Sequence, residues 1–467
     1  MSKSQFGVIG LGVMGKSLSL NLAEKGFDIS VYNRSEGDEA HIVSEFINAN
    51  KAFKTLSGFT TIKHFVLSLE RPRKLLMMVQ AGAVVDIVID QLLPFLSPND
   101  IIIDGGNSHF KDTQRRYLNL KEKGIQFIGC GVSGGEEGAR KGPSLMPGGN
   151  PESYKGVAPI MEAIAAKDAN GQACCTYVGD DGAGHFVKMI HNGMEYAEMQ
   201  LLAELYALLS QTMNNDAIAK LFSEWNNSDL SSYLLEITID ILRKKEGDDY
   251  LLDKVLDKAG NKGTGNWSSK TALDLGVPAN IMTSALFARY LSAFKDNRVQ
   301  LAKQLIHKKS KGKAPDLNAL EHAYRMARIL NHHQGFQIMQ QALEAYSWQL
   351  NLSEIARIWT NGCIIRSQFM EDAILYLKTS TDLLSHPSIF KTLEASEPDL
   401  LSLIQSAMTN RVASDTFWSA YNYWISMTTD RLPANLIQAQ RDYFGAHTFQ
   451  RTDAPLNQFF HANWTHL

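Results

Sequence analysis

The sequence predicts an α/β domain built on a parallel sheet, then a large all-α domain, then a C-terminal tail, and three observations predict it. Up to about residue 180, short β-rich runs alternate with amphipathic stretches, the pattern of strands covered by helices on both faces. Past the turn-rich segment Gly179-Asp180-Asp181-Gly182-Ala183-Gly184, long apolar-periodic segments run to about residue 435 with few strand signals. The last stretch contains Pro455 and ends in NQFFHANWTHL, too apolar for a free solvated end, so it is expected to dock on something rather than fray. These changes place domains at 1–180, 181–435 and 436–467.

The strands are expected at FGVIG (6–10), FDISVY (27–32), HFVLSL (64–69), KLLMMV (74–79), DIIID (100–104) and IQFIG (125–129). A chain of 467 residues with 44% hydrophobic content has enough apolar surface for two to four such units. Lys and Arg total 46 against 49 Asp and Glu, for a net charge of −3, which excludes a general electrostatic attraction to nucleic acid or an anionic membrane. Any anion must be held locally. The clusters HKKSKGK (307–313) and Arg243 to Asp249 read as solvated loops. Four cysteines without a CxxC pair give no disulfide framework, and apolar runs such as AVVDIVID are broken by Asp86 and Asp90. With a first strand that begins within a few residues of Met1, leaving no room for a signal peptide, a soluble cytoplasmic protein is expected.

Gly10-Leu11-Gly12-Val13-Met14-Gly15 directly follows the first strand and opens a helix that Gly26 ends. In that setting the glycines let backbone approach a pyrophosphate at a helix N-terminus, so a dinucleotide site is expected there. At the end of the second strand, where an acidic residue would bond a ribose 2′-hydroxyl, the chain reads Tyr32-Asn33-Arg34-Ser35. Arg34 can clamp a 2′-phosphate, with Asn33 and Ser35 as further donors, so the expected cofactor is NADP.

The run IIIDGGNS stops at Asp104, Gly105, Gly106, Asn107 and Ser108, and the next strand reaches Gly131-Val132-Ser133-Gly134-Gly135-Glu136-Glu137-Gly138. Ligands of parallel sheets sit at such strand ends, and Ser133 with the glycine N–H groups suits a carboxylate. In the following helix, Lys188, Asn192 and Glu195 fall at i, i+4 and i+7 among largely apolar neighbours. The alternative is a solvent-facing Lys/Glu stripe; the position at the domain boundary favours a cleft. Lys262, framed by glycines in AGNKGTGNW, reads as a cation brought onto an anion, without the P-loop pattern; Arg289, Arg441 and His447 are further candidates. No histidine or cysteine spacing suits a metal.

Taken together, GLGVMG, YNRS, DGGNS, GVSGGEEGAR, GHFVKMIHNGMEY, KGTGNW and RDYFGAHTF closely resemble the 6-phosphogluconate dehydrogenase family, decarboxylating NADP enzymes of the pentose phosphate route, along essentially the whole chain. The resemblance implies a Rossmann-like first domain, an all-helical second domain, and a tail that threads the other subunit of a homodimer. It implies substrate contacts for Asn107, Ser133, Gly134, Gly135, Lys188, His191, Asn192, Glu195, Tyr196, Lys262 and Arg289, with Arg441 and His447 supplied by the partner chain. The NADP contacts would be Gly10, Leu11, Gly12, Val13, Met14, Gly15, Asn33, Arg34, Ser35, Val79 and Asn107. Gln80, Asn261 and Asn266 depart from the residues that relatives usually carry. Lys188 is then expected to be the base and Glu195 the acid of an oxidative decarboxylation, because a buried amine loses charge readily and a buried carboxyl keeps its proton. A non-decarboxylating 3-hydroxyacid dehydrogenase would have no need of the second helical half, and a silent NADP sensor would have no need of the lysine and acid.

Overall fold

The chain, described by a computed structural model over residues 3–260, 263–305 and 316–465, begins as an α/β layer. Seven strands, β1 (Phe6–Ile9), β2 (Ile29–Tyr32), β3 (Leu56–Phe59), β4 (Lys74–Met77), β5 (Ile101–Asp104), β6 (Gln126–Ser133) and β7 (Ser144–Gly149), form one sheet in the order β3-β2-β1-β4-β5-β6-β7. The first six are parallel, and β7 returns antiparallel to β6 with Ser133 opposite Ser144. Phe6, Val8, Leu18, Leu22 and Val31 pack on one face of the sheet, while Phe65, Leu75, Ile102 and Phe127 pack on the other. Apolar side chains alternating to both sides are what a sheet covered on both faces requires. The strand order reverses between β1 and β4, and this places the turn after β1 beside the loops after β4 and β5, at the carboxyl ends of the strands.

Three strand assignments change. HFVLSL is not a strand: Ile62–Leu67 is a helix that buries Phe65 and Val66. A six-residue run with four apolar side chains fits either a buried strand or one buried helical face, and periodicity cannot separate them at that length. Two strands were not expected: β7 (Ser144–Gly149), and β3 at the other sheet edge, where Leu56 alone is buried and Gly58 makes room for Val43 and Ile47 of the helix above. The sequence from 131 to 133, read as loop, is the end of β6 and pairs with β7. Part of the acidic and basic run after Arg243 forms a two-stranded hairpin, Lys245–Glu246 with Asp249–Tyr250.

Beyond the sheet the chain is helical. The helix Ala183–Leu209 is buried on nearly every side, as befits the centre of a domain, and the helices Leu317–Tyr346 and Pro387–Thr409 are of similar length. Glycines seat the central helix on the sheet. A Cβ on Gly184 would stand 2.0 Å from the Gly129 carbonyl oxygen, and a Cβ on Gly131 would stand 2.5 Å from Lys188 Cβ. Only hydrogen at these positions permits so close an approach.

Residues 421–467 form a second compact unit. Its helix Ala434–Gly445 carries Asp442, whose buried carboxylate accepts hydrogen bonds from the Thr448 and Ala462 amides, His461 and the Trp464 indole. One carboxylate thus ties the end of this helix to Thr448 and to the stretch His461 to Trp464. Lys262 and the basic cluster at 307–313 lie outside the described residues.

Candidate active site

The glycine turn is closed on its inner side and open on its outer side. Gly10 has φ +92°, and a Cβ there would lie 2.5 Å from the Met78 carbonyl oxygen. A Cβ on Gly15 would lie 1.8 Å from the Gly10 carbonyl oxygen, whereas one on Gly12 would meet nothing within 4 Å. Backbone N–H groups at the start of the helix Val13–Glu24 can therefore be approached closely from outside, and the residues fit a dinucleotide pyrophosphate. Val79 lies between this turn and the loop after β5: its Cγ1 is 3.2 Å from the Gly10 Cβ position and its carbonyl oxygen 3.0 Å from that of Gly106.

Asn33 is partly committed within the chain. Its Oδ1 accepts the Leu11 amide at 2.9 Å and its Nδ2 donates to Glu39 at 2.8 Å, so it locks the turn to the end of β2. Arg34 is 69% exposed and its guanidinium lies 2.6 Å from Glu39 Oε1. Glu39 was not legible as part of this site: it follows five residues later, in the short 3₁₀ turn Gly37–Glu39. Arg34 retains free donors for a phosphate, since one arm of its fork meets Glu39. Ser35 is exposed beside it.

At the end of β5, Asp104 is fully buried and shapes the loop by accepting from the Gly106 amide (3.1 Å) and the Ser108 hydroxyl (2.6 Å). Asn107 is thereby left exposed on the loop. The end of β6 presents Ser133, after which Gly134 (φ +111°) and Gly135 (φ +63°) turn into the helix Gly135–Lys141.

Lys188, His191, Asn192 and Glu195 do converge with Ser133, while Tyr196 packs against Arg289 and Gly265. The Lys188 side chain is 7% exposed, and its Nζ lies 3.2 Å from His191 Nδ1. His191 is wholly buried; its Nδ1 also faces Asn192 Oδ1 at 3.1 Å and Glu195 Oε2 at 3.6 Å, while its Nε2 faces Ser133 Oγ at 3.1 Å and Cys363 Sγ at 2.9 Å. A solvent-facing Lys/Glu stripe is ruled out by this burial. Burial pushes the Lys188 amine below its ordinary range, with the Glu195 charge opposing. Burial likewise raises the Glu195 carboxyl against the pull of Lys188 and Arg289, although its side chain is 20% exposed. His191 is held far below its usual range by burial and by Lys188, so it is a neutral ring linking lysine on one nitrogen to Ser133 on the other. At the Glu195 end, the Arg289 guanidinium stacks 3.6 Å over the Tyr196 ring.

The segment Asn361-Gly362-Cys363-Ile364 enters this site unforeseen. The Ile364 amide donates to Ser133 Oγ at 3.4 Å, and a Cβ on Gly134 would lie 2.6 Å from the Gly362 carbonyl oxygen. Arg441 and His447 belong to the second unit, where both are exposed and Arg441 donates to Gln438 Oε1 at 3.0 Å.

A dinucleotide turn on one side and a buried amine with a protonatable acid on the other define the class as a nicotinamide-dependent dehydrogenase. Comparison with known proteins narrows it. Residues 5–179 match the NAD binding domain of 6-phosphogluconate dehydrogenase and residues 184–464 match its C-terminal domain. The chain thus belongs to the 6-phosphogluconate dehydrogenase family. It is 48% identical to the NADP(+)-dependent, decarboxylating 6-phosphogluconate dehydrogenase of Bacillus subtilis (strain 168), with 99% of this chain and 100% of that one covered. It is 47% identical to the decarboxylating enzyme of Shigella flexneri over the same shares. The Plasmodium falciparum 6-phosphogluconate dehydrogenase, described in apo, NADP+ and 6-phosphogluconate forms, superposes with a TM-score of 0.93 at 37% identity, covering 98% of this chain and 100% of that one.

Proposed function

We propose that the chain catalyses the oxidative decarboxylation of 6-phospho-D-gluconate to D-ribulose 5-phosphate and carbon dioxide, with reduction of NADP to NADPH. The observation that carries the reading is the juxtaposition of Lys188 and Glu195, on one face of the helix Ala183–Leu209 and both shifted toward their neutral forms. NADP, when bound, accepts the hydride from C3 of the sugar acid.

Neutral Lys188 takes the proton of the C3 hydroxyl as the hydride leaves, and the sugar becomes a β-keto acid. The lysine, now charged, gives its proton to the new carbonyl oxygen as carbon dioxide leaves, so the released electrons settle into an enediol. Glu195 delivers a proton to the carbon that becomes C1 of ribulose 5-phosphate, while the enediol hydroxyl proton returns to Lys188. His191, bridging Lys188 to Ser133, holds the amine in register with the substrate carboxylate, which Ser133 and the Gly134-Gly135 turn receive. Asn107 and Asn192 serve the hydroxyls. Tyr196, Lys262 and Arg289, with Arg441 and His447 of a second copy, hold the remote phosphate, whose binding aligns the reacting end.

The cofactor is held by the Gly10 to Gly15 turn, Val79 and Asn107, and its 2′-phosphate by Asn33, Arg34 and Ser35. A homodimer is supported by large apolar side chains left exposed, among them Leu273, Phe287, Leu291, Phe294 and Leu301 in the helical part and Leu436, Ile437, Tyr443 and Phe444 in the second unit. No helix among the described residues is long and apolar enough to cross a membrane.

Incubating the purified protein with 6-phosphogluconate and NADP, while following NADPH absorbance and carbon dioxide, tests the reading. Stoichiometric NADPH and carbon dioxide are expected. NADPH without carbon dioxide would leave a simple 3-hydroxyacid dehydrogenase, and neither product would leave only a nucleotide-binding protein.

A further inference from the structure

Arg116 lies on the helix Phe110–Glu122, and its side chain is only 2% exposed. A buried guanidinium is costly unless its donors are placed on specific acceptors. Here they reach two different loops. Nε donates to Asp86 Oδ1 at 2.9 Å, and NH2 donates to Asp86 Oδ2 at 2.8 Å and to the Gly82 carbonyl at 2.9 Å. The third nitrogen, NH1, lies 3.8 Å from Asp104 Oδ2 and makes no hydrogen bond among the described residues.

These partners back the two strand ends: Gly82 lies in the loop after β4, Asp86 in the helix that follows it, and Asp104, an ion-pair neighbour rather than a hydrogen-bond acceptor, ends β5. Gly82 (φ +93°) closes the Met78–Gly82 connection after β4 and precedes the helix carrying Asp86. Asp104 shapes the loop after β5 through Gly106 and Ser108. The loops also touch in front, where the Gly105 amide donates to the Met77 carbonyl at 2.9 Å and the Gly106 Cβ position is 3.0 Å from the Val79 carbonyl oxygen. Hydrogen bonds from the Arg116 and Arg115 guanidiniums, against burial, hold Asp86 at about 2, so it stays ionised throughout any assay range.

We propose that Arg116 is a positioning residue: its planar fork fixes the spacing between the loop after β4 and the loop after β5, and through them the approach of nicotinamide to the sugar carbon that yields hydride. The proposal rests on the dehydrogenase reading above. An ammonium cannot do the same, because one point charge paired with Asp86 does not also span Gly82 and Asp104.

Arg116→Lys tests it in the full-length enzyme. A 1 Å misplacement at a reacting centre costs up to about a hundredfold in rate, so kcat is expected to fall by about tenfold, with KM for 6-phosphogluconate within about threefold of wild type and melting within a few degrees. The dissociation constant for NADP, read by fluorescence titration without turnover, is expected to rise by about fivefold, and the isotope effect with 3-deuterated substrate to increase. Asp86→Asn, which leaves Gly82 and Asp104 in reach, is expected to cost no more than about twofold. A folded lysine variant with native kcat, NADP affinity and isotope effect would overturn the proposal, as would an Asp86→Asn enzyme as impaired as Arg116→Lys. Should the lysine variant not fold, Asp104→Asn removes the anion facing NH1 and takes its place, with native kinetics as the overturning result. Absence of turnover in the wild type would count against the dehydrogenase reading alone, because the NADP titration still reports on Arg116.

Discussion

The cofactor side and the chemical side of this site are built from opposite materials. Arg34 is 69% exposed and shares its charge with Glu39 across 2.6 Å, whereas Lys188 is 7% exposed and faces a neutral imidazole. An exposed cation keeps its ordinary charge and selects a phosphate by attraction that salt screens. A buried amine has its charge made labile, and its chemistry depends on staying dry. On the proposed roles of Arg34 and Lys188, specificity at one end is a matter of surface electrostatics, and catalysis at the other a matter of burial.

The largest effect should come from the buried end. Lys188→Met preserves most of the side-chain volume and removes the base, so oxidation should fall by roughly a thousandfold or more. Stability should move the other way. A lysine whose folded pKa lies below its ordinary value of 10.5 destabilises the fold at neutral pH, and that cost disappears only as pH rises toward the ordinary value. The methionine variant should thus melt no lower than wild type at pH 7, and a clear drop in Tm would mean that the amine is not held against its charge.

Next in size is Gly131→Val. Its new side chain would start 2.5 Å from Lys188 Cβ, so the central helix must lift off β6, at a cost of roughly 1 to 3 kcal/mol. Turnover should fall by about a hundredfold while NADP binding stays near wild type, since the glycine turn lies three strands away in the sheet. Loss of both together would show that the two sides are not separable.

This glycine also marks how far the site was legible in the sequence. The Lys188, Asn192, Glu195 stripe was, because a period of 3.6 residues puts i, i+4 and i+7 on one face whatever surrounds them. The turn from Gly10 to Gly15 was, because strand, glycines and helix follow each other locally. What brings Lys188 to Ser133 was not. That approach needs Gly131 and Gly184 to lack side chains, and it needs Cys363 and Ile364 to arrive from far along the chain, where no local pattern announces them. Glu39 escaped notice for a different reason, as an acid in a polar turn looks solvated until its partner is known. The edge strand β3 carried too little apolar signal to be seen, while the buried turn at 62–67 carried enough to imitate a strand.

At the exposed end, Arg34→Glu should weaken NADP binding by about ten- to a hundredfold and leave NAD binding nearly unchanged, in line with loss of charge-assisted bonds to a phosphate. Glu39→Gln releases the competing partner and should tighten NADP binding by a few-fold at low salt, the gain shrinking as salt is added. Isothermal titration at two salt concentrations reads both. Equal losses for NADP and NAD in Arg34→Glu would remove the arginine from cofactor selection.

The smallest effect, and the one that separates burial from chemistry, lies further along the same central helix. Glu204 is buried and accepts the Thr416 and Phe417 amides at 3.0 and 3.2 Å, capping the helix Asp415–Met427. Those amides and Gln200 favour the carboxylate, but burial outweighs them and lifts the group from 4.5 to about 7. Below pH 4.5 both folded and unfolded chains hold the proton; between there and about 7 only the folded chain does, so this group's contribution to stability declines as pH rises through that window and is flat above it. A shift of that size corresponds to about 3 kcal/mol across the window. Glu204→Gln cannot titrate, so its stability relative to wild type, from urea unfolding, should be more favourable at pH 8 than at pH 5 by about 2 kcal/mol, with kcat unaltered. A raised carboxyl pKa would then be common to Glu195 and Glu204 while proton delivery belonged to Glu195 alone, and what distinguishes them is the sugar within reach. An equal offset at both pH values would show that Glu204 is ionised throughout, and a lost kcat would show that burial on this helix cannot be altered without disturbing the chemistry.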